Sequence, residues 1–249
     1  MAMSPMEQFE VKPIVPLHLG GYDVSFTNQS LFMCLVVAAV TLFFALAVSR
    51  PKLVPGKMQS MGEISYEFVA NMIRSTSGDA GLVFFPFVFT IFFFVLFSNF
   101  LGLIPGAFTV TSQIVVTFAL AALVICTVVL VGFARHGFGF LKLFVPKAPW
   151  YILWLLVPIE VISFLTRLVS LSVRLFANML AGHTMLQVFA GFVVALGAAG
   201  LLAPLAVAPM LMIVFIGALE MLVAFLQAYV FAVLTCIYLN EALHLHDHH

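Results

Sequence analysis

Charge is the scarcest property of this chain. Only 8% of its 249 residues are charged, and ten Lys plus Arg balance ten Asp plus Glu. A soluble domain carries about 25% charged residues. So thin a supply cannot clothe a water-facing surface, which excludes a soluble enzyme and a disordered protein. A nucleic-acid binder is excluded too, since it needs a basic excess that a net charge of +0 does not provide. Cysteine is scarce as well. Cys34, Cys126 and Cys236 all lie in apolar runs, and three thiols cannot all pair, so buried free thiols are expected. The first thirty residues lack a basic stretch followed by an apolar core, so no signal peptide is read there.

What is present is apolar. Hydrophobic residues make up 64% of the chain and the mean hydropathy is +1.21. Lipid admits only spans whose backbone is internally hydrogen-bonded. The apolar runs are continuous and far longer than the roughly ten-residue alternating strands of a membrane barrel. The fold class expected is therefore all-α, a polytopic helical membrane protein with five spans and one interfacial helix. One membrane domain covers residues 1–249, opened by an external segment over 1–30.

The first span is expected over 31–49. An amphipathic helix over 57–77 follows, with Gln59, Glu63, Glu67 and Asn71 on one side and Met61, Ile64, Phe68, Met72 and Ile73 on the other. Residues 82–134 hold an uncharged helical hairpin, Leu82 to Ile104 and Gln113 to Ala134, turned at Pro105-Gly106. Residues 150–244 hold two long helices, Trp150 to Leu196 and Leu201 to His244, with Pro158 a place where the first could begin afresh. Their length exceeds a span and calls for tilt, curvature or protrusion. Basic clusters at Arg50, Lys52, Lys57 and at Arg135, Lys142, Lys147 mark the cytoplasmic side, which puts the N-terminus outside and the C-terminus inside.

Ionisable groups at membrane depth are costly and point to function. The two long helices carry Glu160, Arg167, Arg174, His183, Glu220 and Glu241, with the amides Asn178 and Gln227. At about 100° per residue, Glu160, Arg167, Arg174 and Asn178 fall within about 40° of one line. An antiparallel register with Gln227 level with Arg174 puts His183 about 13.5 Å and Glu220 about 10.5 Å to the outer side. The same register puts Glu160 and Glu241 each about 21 Å to the inner side. Glu160 and Arg167, seven residues apart, are also candidates for pairing with each other. His and carboxylate groups exchange protons near neutral pH, whereas arginine keeps its proton. A titratable row broken by a permanent cation conducts only if a moving carboxylate takes a proton on one side and sheds it on the other. Nothing in the chain is such a carrier, so a partner must supply it. A haem between the helices is disfavoured, because only His183 lies deep and no second histidine ligand exists. The alternative is a stand-alone ion-coupled transporter or channel.

LSVRLFANMLAGH, Leu171 to His183, and ALEMLVAFLQAYVFAVLTCIYL, Ala218 to Leu239, resemble subunit a of the F-type ATP synthases. SNFLGLIPG at Ser98, PIEVISF at Pro158 and the opening SPMEQFEVKPI extend the similarity over nearly the whole chain, closest to the alphaproteobacterial and mitochondrial branch. The resemblance implies a proton-conducting stator subunit with two offset half-channels beside a rotating c-ring. Arg174 becomes the essential arginine. Asn178, His183, Glu220 and Gln227 match the outer half-channel, Glu160 an inner carboxylate, and Asn99 a polar position near the hairpin. The implied partners are the c-ring, the peripheral stalk subunits b, membrane lipid and, indirectly, the F1 sector, with protons as the transported ion and no nucleic acid. No cofactor, metal or nucleotide site is implied for this chain. The membrane is a bacterial inner membrane, or alternatively the mitochondrial one. The tail HLHDHH lies outside the family pattern and is expected to be a solvated end.

Overall fold

The computed structural model describes residues 11–16, 18–19, 22–23, 25–49, 52–104, 107–137, 150–198 and 204–243. Residues 1–10, Arg50, the Pro105 turn, Lys142, Lys147 and the His-rich tail lie outside these residues. Among the described residues there are six α-helices: α1 Asn28–Val48, α2 Lys57–Ser77, α3 Phe85–Gly102, α4 Ile114–His136, α5 Trp150–Gly197 and α6 Val207–Leu243. Five stretches are long and apolar enough to cross a membrane: Asn28–Val48, Asp79–Gly102, Ile114–His136, Ile152–Ala198 and Pro204–Leu243. The chain is a polytopic helical membrane protein.

Local chemistry sets the helix ends. α1 begins at Asn28, three residues before the apolar run, because Thr27 acts as its cap: the Ser30 N–H donates to Thr27 Oγ1 at 3.3 Å. Pro86 lacks an N–H and is tolerated in a first helical turn, so α3 opens at Phe85 behind a 3-10 stretch, Asp79–Phe84. Pro209 occupies the first turn of α6 in the same way, and that helix starts at Val207 rather than Leu201. Pro158 does not restart α5, which runs through it as one helix of 48 residues. At 1.5 Å per residue α5 is about 72 Å long and α6 about 56 Å. Both far exceed the ~30 Å hydrocarbon core.

The N-terminal segment, read from the sequence without any secondary structure, carries short strand pairs. Pro13–Val15 pairs antiparallel with Phe26–Thr27, and His18–Leu19 with Tyr22–Asp23. Ile14, Val15, Tyr22, Phe26 and Thr27 favour strands, and Gly20-Gly21 is a hairpin-turn sequence between the inner pair. The Asn28 side chain accepts from the Lys12 N–H at 3.1 Å, tying this segment to the start of α1.

Residue contacts gather into two compact units. One draws on Met1–Phe43, Phe93–Gln113 and Leu175–Ala228, the other on Phe44–Phe92, Ile114–Arg174 and Tyr229–His249. In the second unit, α2 divides along its length. Met58, Met61 and Ile64 are exposed apolar residues suited to lipid, whereas Val69, Ala70, Met72 and Ile73 are buried. Phe68 packs against Phe92 and Tyr229, and Ser77 Oγ donates to the Cys236 carbonyl at 2.9 Å, fixing the end of α2 on α6. Thr117 and Ser172 share a buried hydrogen bond of 3.3 Å between α4 and α5.

Candidate functional site

The first unit holds one cluster of polar groups. His183 on α5 and Glu220 on α6 are both buried, and His183 Nε2 lies 3.6 Å from Glu220 Oε1. Helical geometry alone makes such closeness hard, because a side chain at position 182 would stand in the way. Position 182 is glycine. A Cβ there would lie 2.6 Å from Glu220 Oε1 and 2.9 Å from its Cδ, so the carboxyl group occupies the space that a side chain would fill. Apart from that approach to the imidazole, neither carboxylate oxygen has a hydrogen-bond partner among the described residues. A buried carboxyl group in that position has one nearby group with which to exchange a proton, the imidazole.

Two further polar contacts frame the pair. Asn178 Nδ2 donates to Gln227 Oε1 at 3.0 Å, again joining α5 to α6. The expected register put Gln227 level with Arg174. Gln227 is instead bonded by Asn178, one helical turn further along α5. Asn99, fully buried on α3, is held at both ends of its amide: it accepts from Thr111 Oγ1 at 2.9 Å and donates to the Ala224 carbonyl at 3.1 Å. Asn99 therefore clamps the α3–α4 connector to α6, one turn from Glu220.

The connector supplies residues that the sequence reading missed. Thr109, Thr111 and Ser112 are all buried, and Thr109 Oγ1 lies 3.2 Å from His183 Nε2. The available signal was a run of hydroxyl groups, Thr109, Thr111 and Ser112 with Gln113 behind, between two uncharged apolar stretches. Polar groups there need partners, and the nearest polar side chains in a chain so apolar are those of the site.

The second unit holds another group of charged side chains. Arg167 Nη1 donates to Glu241 Oε2 at 2.5 Å, and the Arg167 guanidinium lies 5.5 Å from the centroid of the Tyr238 ring. Arg167 is thus paired with Glu241 rather than with Glu160. Glu160 is half-buried on α5, seven residues before Arg167, and does not join that pair. Arg174 is exposed. It lines a cleft of about 380 Å³ with Arg167, the polar residues Ser163, Thr166, Ser170 and Tyr238, and two leucines. No carboxylate among the described residues lies within ion-pair distance of Arg174.

Comparison with known proteins adds an independent finding. The family described as ATP synthase A chain matches residues 30–240. The chain is 62% identical to ATP synthase subunit a of Chelativorans sp. (strain BNC1), an alignment covering 98% of this chain and 99% of that protein. It is 58% identical to ATP synthase subunit a of Mesorhizobium japonicum, covering 97% of each. It is 59% identical to ATP synthase subunit a of Rhizobium meliloti, covering 98% of each.

Proposed function

The chain belongs to the ATP synthase A chain family, and on that premise we propose that it is the proton-translocating stator subunit of an ATP synthase membrane sector. Arg174 is the observation that carries the proposal. A permanent cation in an apolar span is costly. Arg174 is exposed, and among the described residues it has no carboxylate partner. Such a guanidinium suits an anion brought by another chain, and the membrane-embedded carboxylate of a c-ring subunit is of that chemistry. The arginine attracts that carboxylate when it is charged and assists its deprotonation. Because arginine does not release its own proton, it bars a direct leak between the two half-channels.

The His183–Glu220 pair serves the outer half-channel, with Asn178 and Gln227 beside it. A proton passes from the imidazolium to the Glu220 carboxylate, leaving both groups neutral, and onward to the ring. Glu160 serves the inner side, on α5 seven residues before Arg167 of the Arg167–Glu241 pair. The chain itself makes no ATP. It converts proton flow into rotation of the ring, with stalk subunits b holding it still and the F1 sector coupled indirectly. The basic residues flanking α2 and at the end of α4 support a cytoplasmic position for those ends, hence an N-terminus in the periplasm and a C-terminus in the cytoplasm of a bacterial inner membrane.

The test is proton flux in liposomes. The isolated chain is expected to pass no protons above background, and the assembled membrane sector to pass them. Rapid flux through the isolated chain would overturn the proposal in favour of a stand-alone channel or transporter. Affinity purification of the chain should also bring down a ring of small carboxylate-bearing subunits.

A further inference from the structure

We propose that Thr109, in the connector between α3 and α4, is a positioning residue that holds the His183 ring through each proton transfer. The proposal rests on the outer-pair reading above and deepens it. His183 Nε2 meets two oxygens: Glu220 Oε1 at 3.6 Å and Thr109 Oγ1 at 3.2 Å. The carboxylate comes from α6 and is the charged group facing the ring nitrogen. The hydroxyl comes from the connector and is uncharged. When Nε2 carries a proton, the hydroxyl oxygen accepts from it and can turn its own hydrogen toward the Gly102 carbonyl, 3.5 Å away. When Nε2 has given its proton to Glu220, the hydroxyl can reverse and donate to the bare nitrogen. A hydroxyl both donates and accepts, which a carboxylate or an ammonium cannot do. The imidazole therefore keeps a hydrogen bond on both sides of the step, imidazolium plus carboxylate going to imidazole plus carboxylic acid. No atom or electron is needed from elsewhere.

The hydroxyl is itself held. Thr109 is 3% exposed. Its carbonyl accepts from Ser112 Oγ at 2.7 Å and from the Ser112 N–H at 3.2 Å, which fixes its backbone. Its methyl group sits where position 102 has no side chain: a Cβ on Gly102 would lie 2.7 Å from Thr109 Cγ2. The fit depends on that missing Cβ and on no unusual backbone conformation. Gly102 thus makes room for Thr109 as Gly182 makes room for Glu220.

Two pairs of residues isolate the hydroxyl in the assembled complex. Thr and Val share a shape and differ by the hydroxyl, and so do Ser and Ala in a smaller frame. Proton-driven ATP synthesis and passive proton flux should be measured in membrane vesicles for T109V, T109A and T109S, with the amount of assembled complex checked by immunoblot. T109V and T109A should each lose about tenfold in flux, since the buried ring nitrogen loses the hydrogen bond to the Thr109 hydroxyl. T109S should stay within about twofold of the parent. If T109V does not assemble, the Ala and Ser pair decides. Equal flux from T109A and T109S, whether high or low, would overturn the proposal, because the hydroxyl, the one group by which they differ, would then have no effect. H183A and E220A measured alongside separate the two levels: if they leave flux intact, the outer-pair reading fails; if they abolish it and T109A equals T109S, only the role of Thr109 fails.

Discussion

Substituting Gly182 by Ala adds one methyl group to α5, and the structure says where it goes. The new Cβ would stand 2.6 Å from Glu220 Oε1, 2.9 Å from Cδ and 3.2 Å from Cγ. Contact between such atoms is comfortable only at about 3.5–4.0 Å, so the carboxyl group must withdraw by roughly 1 Å. It is already at 3.6 Å from the imidazole, and the withdrawal lengthens or redirects that approach. Forced overpacking costs about 1–3 kcal/mol. If that cost falls on the geometry that passes the proton, transfer slows by about 5- to 150-fold, since each 1.36 kcal/mol is tenfold. The opposite sign is expected of helix stability, because Ala favours a helix interior over Gly by up to about 1 kcal/mol. A loss of flux therefore cannot be laid to a weakened helix. Gly191, on the same helix, is the control: nothing lies within 4 Å of a Cβ there, and Gly191→Ala should behave as the parent. The assay is ATP-driven acidification of inverted membrane vesicles, read by a pH-sensitive dye and normalised to assembled complex. Acidification by G182A within about twofold of G191A would refute the claim that Glu220 needs the space at position 182.

Further expectations concern the other contacts. Exchanging His183 and Glu220 together should retain more proton flow than either single change; a double exchange no better than the singles would remove the support for one shared site. Asn99→Leu leaves the Ala224 carbonyl and the Thr111 hydroxyl without the amide, so stability of the purified complex should fall by about 1–3 kcal/mol, and an unchanged thermal midpoint would contradict the clamp. For the ion pair of α5 and α6, Glu241→Arg should lower stability and the double change with Arg167→Glu should recover most of it, measured by thermal unfolding in detergent. Equal stability of the single and double variants would show that the two side chains do not interact.

The spans were legible because length and hydropathy decide them. α2 was legible because its polar residues recur every four positions. The rise per residue puts His183 and Glu220 at nearly one level, and the two do meet. The sliding of one long helix along another was not legible. A shift of one turn moves every partner by about 5.4 Å without changing which face is presented, which is how Gln227 came to Asn178; Glu241 meets Arg167, two turns along α5 from Glu160, the residue it was expected to be level with. Helix starts escaped where a side chain or proline sets them, as at Thr27, Pro86 and Pro209. Thr109 escaped for a different reason. Its partners, His183 and Gly102, are 74 and 7 residues away, and nothing local marks a connector residue as returning to a site on another helix.

The most direct measurement is coupled ATP synthesis by the complex carrying Arg174→Ala. Loss of proton-driven synthesis with the complex still assembled is expected, because the ring carboxylate loses its counter-charge and the barrier between the half-channels opens. Synthesis at the parental rate from fully assembled R174A complex would contradict the role given to Arg174, and with it the proposal that this chain is the proton-coupled stator.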